Sequence, residues 1–145
     1  MVSQPSFDPN PFVTGIGFKA YADLRDSIDR PLYNRVLRGL YPPGSTIKPM
    51  VAVSGYYQLP NLQHKYRNWN RNGDGWVDMD LAISRSNDTY FYSLAHKMGI
   101  DRLHDYMSRF GLGQRVSLDM FEETAGLMPS REWKRVRYRQ AWYPG

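Results

Sequence analysis

The segment Tyr41-Pro42-Pro43-Gly44-Ser45-Thr46-Ile47-Lys48-Pro49 constrains this chain more than any other stretch. Proline fixes φ at about −65° and glycine is itself free to take a positive φ, so the backbone is set to turn sharply here. A helix is then expected to open at Ser45, with Pro49 in its first turn, where a missing N–H costs little. Ser45 and Lys48, three residues apart, share one face of such a helix. An unprotonated, partly desolvated lysine amine can take a serine proton, and the positive end of a helix stabilises the alkoxide that develops. Such pairs also occur by chance, and spacing alone favours Ser45 as a plain N-cap with Lys48 in solvent.

The rest of the chain reads mostly as short helices. Apolar spacing predicts helices over 18–27 and 32–40, and over 45–54 after the turn. Residues 80–98 read as helix interrupted near Ser86-Asn87-Asp88, with Asp88 as N-cap of the second piece and Gly99 as its stop. Residues 101–110 carry Leu103, Tyr106, Met107 and Phe110 on one face, with Asp101 as cap and Gly111 as stop. Pro129-Ser130-Arg131-Glu132-Trp133 opens a further helix. Residues 56–78 are rich in turns and aromatic residues, with room for one short strand. Alternating strand patterns are few, so the chain is expected to be rich in helix.

Two polar segments admit chemistry. Ser86-Asn87-Asp88 reads either as a C-cap, kink and N-cap, or as a serine hydroxyl beside a nucleophile with an aspartate steadying a lysine. The run 70–81 (Asn70-Arg71-Asn72-Gly73-Asp74-Gly75-Trp76-Val77-Asp78-Met79-Asp80-Leu81) resembles a calcium loop, with oxygen residues at loop positions 1, 3, 5 and 9. Its first position is Asn, however, and its twelfth is Leu81, where a bidentate Glu is needed. A glycine-rich turn is the default reading. His64, His96 and His104 lack the spacing of a zinc site. Tyr56, Tyr57, Tyr66, Trp69 and Trp76 are read as the core of a loop-rich region rather than as a stacking platform.

Composition closes off other classes. The chain has 145 residues, enough for one domain, and no cysteine, which excludes disulfides, thiolate catalysis and cysteine zinc sites. No apolar run approaches the length of a membrane span, and no basic-then-apolar leader is present. The net charge of +5 admits a polyanion partner. No nucleic-acid module accompanies it, and Arg131, Lys134, Arg135, Arg137 and Arg139 read as a solvated face.

Together the motifs resemble a known family. Pro43-Gly44-Ser45-Thr46-Ile47-Lys48-Pro49 is similar to the first active-site motif of the penicillin-binding proteins, serine D,D-transpeptidases with an S-x-x-K pattern. Ser86-Asn87-Asp88 falls where the second motif belongs, in an S-x-D form. Ser6-Phe7-Asp8-Pro9-Asn10, Tyr57-Gln58-Leu59-Pro60, Asp88-Thr89-Tyr90-Phe91-Tyr92, Met98-Gly99-Ile100-Asp101-Arg102 and Met128-Pro129-Ser130-Arg131-Glu132-Trp133 are similar to the elongation-specific class B branch of Gram-negative bacteria. The resemblance implies the helix-rich part of an α+β serine-transpeptidase domain, of the penicillin-binding protein and β-lactamase-like kind, with few strands in residues 1–145.

It also implies residue roles. Ser45 would be the nucleophile toward the penultimate D-alanine of a peptidoglycan stem peptide, and Lys48 its general base. Ser86 would relay protons, and Asp88 would orient Lys48. No cofactor is implied. Some relatives bind zinc near the second motif, but Asp74 and Asn87 stand at those places, so no metal is expected. The implied partners are stem peptides, β-lactams and, in the parent protein, a membrane glycosyltransferase of the elongation machinery; nucleic acid is not among them. The implied setting is the periplasm, on an inner-membrane anchor.

Three departures accompany the resemblance. The K-[ST]-G third motif has no counterpart in the 145 residues, the pedestal and anchor would precede Met1, and the stretch at Ser54-Gly55 is shorter than in relatives. The chain alone is therefore expected to acylate weakly or not at all. A β-lactam sensor or docking piece without turnover is the rival reading, and a hydrolytic β-lactamase a further one.

Overall fold

The computed structural model describes residues 2–54 and 66–143. The Tyr57-Gln58-Leu59-Pro60 segment, His64 and the rest of 55–65 lie outside the described residues. Those described are helical or irregular, with no strand among them. They fall into two units, one of residues 1–41 and 115–124, the other of 42–114 and 125–145.

In the first unit, helix α1 spans Asn10–Thr14, α2 Phe18–Asp26 and α3 Arg35–Arg38. The predicted 32–40 helix shrinks to α3 because Asn34 caps it, accepting from the N–H groups of Val36 and Leu37, and Gly39 leaves it in extended conformation. No described residue of this unit is buried. Polar contacts hold it instead. The Ser3 hydroxyl accepts from Arg35 N–H at 3.0 Å, Thr124 N–H donates to Leu37 O at 2.8 Å, and Phe12 meets Phe7 and Tyr21 edge-on. Glu123 accepts from Val116 N–H, Ser117 N–H and the Ser117 hydroxyl. These bonds keep its carboxyl below the ordinary value, against a smaller effect of burial.

The second unit carries the core. A 3-10 turn over Gly44–Ile47 leads into α4 (Lys48–Ser54); α5 is Met79–Ser84, α6 Asp88–Met98, α7 Ile100–Arg109 and α8 Arg131–Tyr138. The helix expected from Ser45 thus starts as a tighter turn, and Gly44 enters it at φ +56°, a conformation that suits glycine. Val51 and Ala52 of α4, Ala82 of α5, Phe91 and Leu94 of α6, and Met107 of α7 form one buried cluster. Phe91 and Leu94 are three apart, as the helical period requires of residues on a single buried face. Ile47, Leu103, Leu112 and Met128 pack around the cluster.

Three sequence expectations change in detail. Asn87, not Asp88, caps α6, its Oδ1 accepting from Tyr90 N–H at 2.8 Å. Helix α7 opens at Ile100, so Asp101 lies inside the first turn and pairs with Arg131 at 2.7 Å instead of capping. Of the described residues of the aromatic group, Trp69 is 65% exposed and Trp76 96%, so these two join no core. Other expectations match. Gly99 ends α6 at φ +75°, Ser130 caps α8 through Trp133 N–H, and the basic residues of α8 line an exposed face where Arg131 holds Asp101.

Candidate active site

The Lys48 side chain is largely buried, with 11% of it exposed. It opens α4, and its backbone N–H closes the 3-10 turn on Ser45 O. Its side chain crosses to the link between α5 and α6. There Nζ meets Ser86 O at 2.6 Å, Ser86 Oγ at 3.0 Å and Asp88 Oδ1 at 2.6 Å. An ammonium has three donors, and this cage offers one acceptor to each. The Phe91 ring, with its centroid 5.7 Å from Nζ, closes a further side.

Local chemistry explains the link. Helix α5 ends with Arg85 N–H on Leu81 O, and Asn87 N–H reaches back to Ala82 O at 2.9 Å. Ser86 takes a left-handed φ of +51° between them. That conformation costs a non-glycine residue about 1–3 kcal/mol, and it persists because contacts on both sides hold it. It presents both the carbonyl and the hydroxyl of Ser86 to Lys48. Asp88 then sits in the first turn of α6, where the helix dipole favours a carboxylate.

Of the four residues expected from sequence, the fold brings Lys48, Ser86 and Asp88 into direct contact. Ser45 stands one turn before Lys48, exposed, its hydroxyl without a hydrogen-bond partner among the described residues. Its neighbour Thr46 is tied down through its own hydroxyl to Pro43 O. The fold thus sets an exposed serine one turn before a caged lysine.

The 70–81 run folds as a turn, with positive φ at Gly73 and Gly75. Several of its polar groups bond within the run. Asn70 directs its amide nitrogen to Gly73 O and Asp74, and Asp78 accepts from Leu81 N–H to cap α5. Among the described residues, no three acidic or histidine side chains gather in a metal-holding group.

Sequence reasoning missed the role of Asn68 and the way Asp74 and Asn87 meet. Asp74, with its side chain 1% exposed, accepts from Asn68 Nδ2 at 2.6 Å, Asn87 Nδ2 at 2.7 Å and Asn70 Nδ2 at 2.9 Å. The Asn70 and Asn87 amides hold its carboxyl below the ordinary value despite burial, with help from Asn68 and Arg85. The visible signal was the alternation Asn68, Asn70, Asn72, Asp74, an unusual density of short amides.

Comparison with known proteins identifies the family. Residues 1–142 match the penicillin binding protein transpeptidase domain family. The whole chain aligns at 48% identity with the peptidoglycan D,D-transpeptidase MrdA of Acinetobacter baumannii, of which it covers 24%. It aligns at 43% with MrdA of Escherichia coli, of which it covers 25%. The chain thus spans about a quarter of these relatives. Both alignments run over 161 positions for 145 residues, so the relatives carry residues with no counterpart here. The fold superposes on Pseudomonas aeruginosa PBP2, solved in complex with WCK 5153, with TM-score 0.89 and 71% identity, covering 100% of this chain and 35% of that one. It also superposes on Helicobacter pylori PBP2 from a complex with MreC, with TM-score 0.85 and 31% identity, covering 98% of this chain and 29% of that one. The chain belongs to the penicillin-binding protein transpeptidase family, as a helix-rich part of that domain.

Proposed function

We propose that these residues supply the nucleophile side of a peptidoglycan D,D-transpeptidase of the elongation-specific class. The observation that carries the reading is Lys48 Nζ caged by Ser86 and Asp88, one turn after the exposed Ser45.

The chemistry follows from that arrangement. Ser45 Oγ attacks the carbonyl carbon of the penultimate D-alanine, forming an ester as the amide bond to the terminal D-alanine breaks. Lys48, as the free amine, takes the Oγ proton. An amine has two N–H donors and one lone pair, so it can keep two contacts of its cage while the lone pair faces Ser45. The Ser86 hydroxyl passes a proton to the leaving amine, and Asp88 fixes the Lys48 side chain throughout. The Ser45 N–H contributes to the oxyanion hole. The amine of a second stem peptide then attacks the ester, forms the cross-link and returns the proton to Ser45.

The same nucleophile would accept β-lactams, whose ring amide replaces the peptide bond. The relatives named transpeptidases support the substrate class, and the Helicobacter pylori PBP2–MreC complex supports an MreC protein as partner. A membrane glycosyltransferase partner and a periplasmic, membrane-anchored setting complete the proposal. No helix among the described residues is long and apolar enough to cross a membrane.

The test is covalent labelling by a fluorescent penicillin in a full-length transpeptidase chain carrying these residues. The label is expected on the peptide containing Ser45 and is lost in Ser45→Ala. Undiminished labelling of Ser45→Ala, or a label on another residue, would sink the reading.

A further inference from the structure

Asp74 touches neither Ser45 nor Lys48, yet its contacts lead to both sides of the Lys48 cage. Its Oδ2 accepts from Asn68 Nδ2 and Asn87 Nδ2, and its Oδ1 accepts from Asn70 Nδ2 with Arg85 Nη1 at 3.6 Å. The two amides on Oδ2 each have a second task. Asn87 Oδ1 takes Tyr90 N–H and so starts α6, the helix whose first residue is Asp88. Asn68 Oδ1 takes the N–H of Asp88 itself at 2.9 Å. Each amide has only one workable orientation, because a carboxylate accepts only and a backbone N–H donates only. The chain of bonds therefore has a fixed direction, and the Asp74 carboxylate is its terminal acceptor.

We propose that Asp74 is a positioning residue for the transpeptidase centre, setting the placement of Ser86 and Asp88 around Lys48 through Asn68 and Asn87. The proposal rests on the preceding reading of Ser45, Lys48, Ser86 and Asp88. Ser86 and Asp88 flank Asn87, and Ser86 holds a left-handed backbone that must be fixed from outside. The buried carboxylate fixes it from the 68–74 loop. Burial would favour the neutral acid, but a neutral acid would direct its own O–H at a donor amide and break the set. The amide bonds, Asn70 and Asn87 foremost, hold Asp74 ionised.

The discriminating experiment is acylation kinetics in the full-length transpeptidase chain. Asp74→Asn keeps the shape but sets one amide N–H₂ against another. It is expected to lower the limiting acylation rate about tenfold to a hundredfold, as a small misplacement of a reacting group does. The noncovalent affinity for penicillin should stay within about twofold, because no group touching substrate has changed. Asn68→Ala cuts only the arm to Asp88, should slow acylation in the same way, and covers the case in which Asp74→Asn does not fold. The Asp88 amide should lose hydrogen-exchange protection in both single variants. Wild-type limiting rates in folded Asp74→Asn or in Asn68→Ala would overturn the proposal. If the unsubstituted protein is not labelled at Ser45, the reading of the reacting groups fails instead, and the two failures stay distinct.

Discussion

Lys48 Nζ and Asp88 Oδ1 lie 2.6 Å apart although forty residues separate them in the chain, with side chains 11% and 25% exposed. An ion pair so placed binds the start of α4 to the start of α6. Its partial burial makes it more than a surface contact, and loss of one partner leaves the other poorly solvated. Asp88→Ala should therefore destabilise the folded second unit by about 1.5–3 kcal/mol, the range for hydrogen bonds to charged groups. In a double-mutant cycle with Lys48→Met, the urea midpoints should give a coupling of about 0.5–3 kcal/mol. Simple additivity of the two substitutions would contradict the pairing.

Lys48→Ala should abolish most labelling by a fluorescent penicillin, by a factor on the order of 10²–10⁴, the usual contribution of a positioned general base. Lys48→Arg should not recover it, because a guanidinium stays protonated and offers no lone pair. Labelling rates of the purified variants decide the matter, and a fast Lys48→Arg variant would exclude Lys48 as base.

Leu94 and Met107 are both fully buried, on α6 and α7. Truncation of either to alanine should cost about 2–5 kcal/mol, the sum of lost transfer energy and an unfilled cavity. By contrast Ile28, 96% exposed in the first unit, should tolerate Ile28→Ala within about 0.5 kcal/mol. Chemical denaturation of the three variants tests where the core lies.

Ser130 and Asn87 cap α8 and α6, each through one backbone N–H. Ser130→Ala should cost about 0.5–2 kcal/mol for the cap alone. Asn87→Ala should cost more, since the same amide also serves Asp74. Equal losses in thermal or urea unfolding would mean that the second bond contributes nothing.

Stability should fall on acidification. Asp74 and Glu123 both have folded-state pKa values depressed below their ordinary 3.8 and 4.5. Groups of this kind contribute stability that is complete above the unfolded value and disappears as pH falls through the lower folded value. Urea midpoints should thus be level above the ordinary carboxylate range and decline below it. Asp74→Asn and Glu123→Gln should each flatten part of that decline. A midpoint that rises on acidification would contradict the sign.

How much of this was legible in the sequence differs from element to element. Helix α2 and the face of α7 followed from apolar spacing, because a local period of 3.6 needs no knowledge of the rest of the chain. The stop at Gly99 and the cap at Ser130 were equally local. The cap roles expected for Asp88 and Asp101 fall instead to Asn87 and Gly99, since each carboxylate lies inside its helix and pairs with a cation from another element. Asp88 turns to Lys48 and Asp101 to Arg131.

The sequence by itself determined the turn before Ser45, the i, i+3 placement of Ser45 and Lys48, and the break at Ser86-Asn87-Asp88, since each depends on torsions and side chains within a few residues. Only the tertiary structure decided that the Lys48 amine enters that break, and that Asp74 takes the Asn68 and Asn87 amides next to it. Those contacts close over separations of 38 and 40 residues for Lys48 and 13 for Asp74. They exist because burial of the α4, α6 and α7 faces against one another brings the polar ends together, and a buried polar group must find a partner wherever packing has put one.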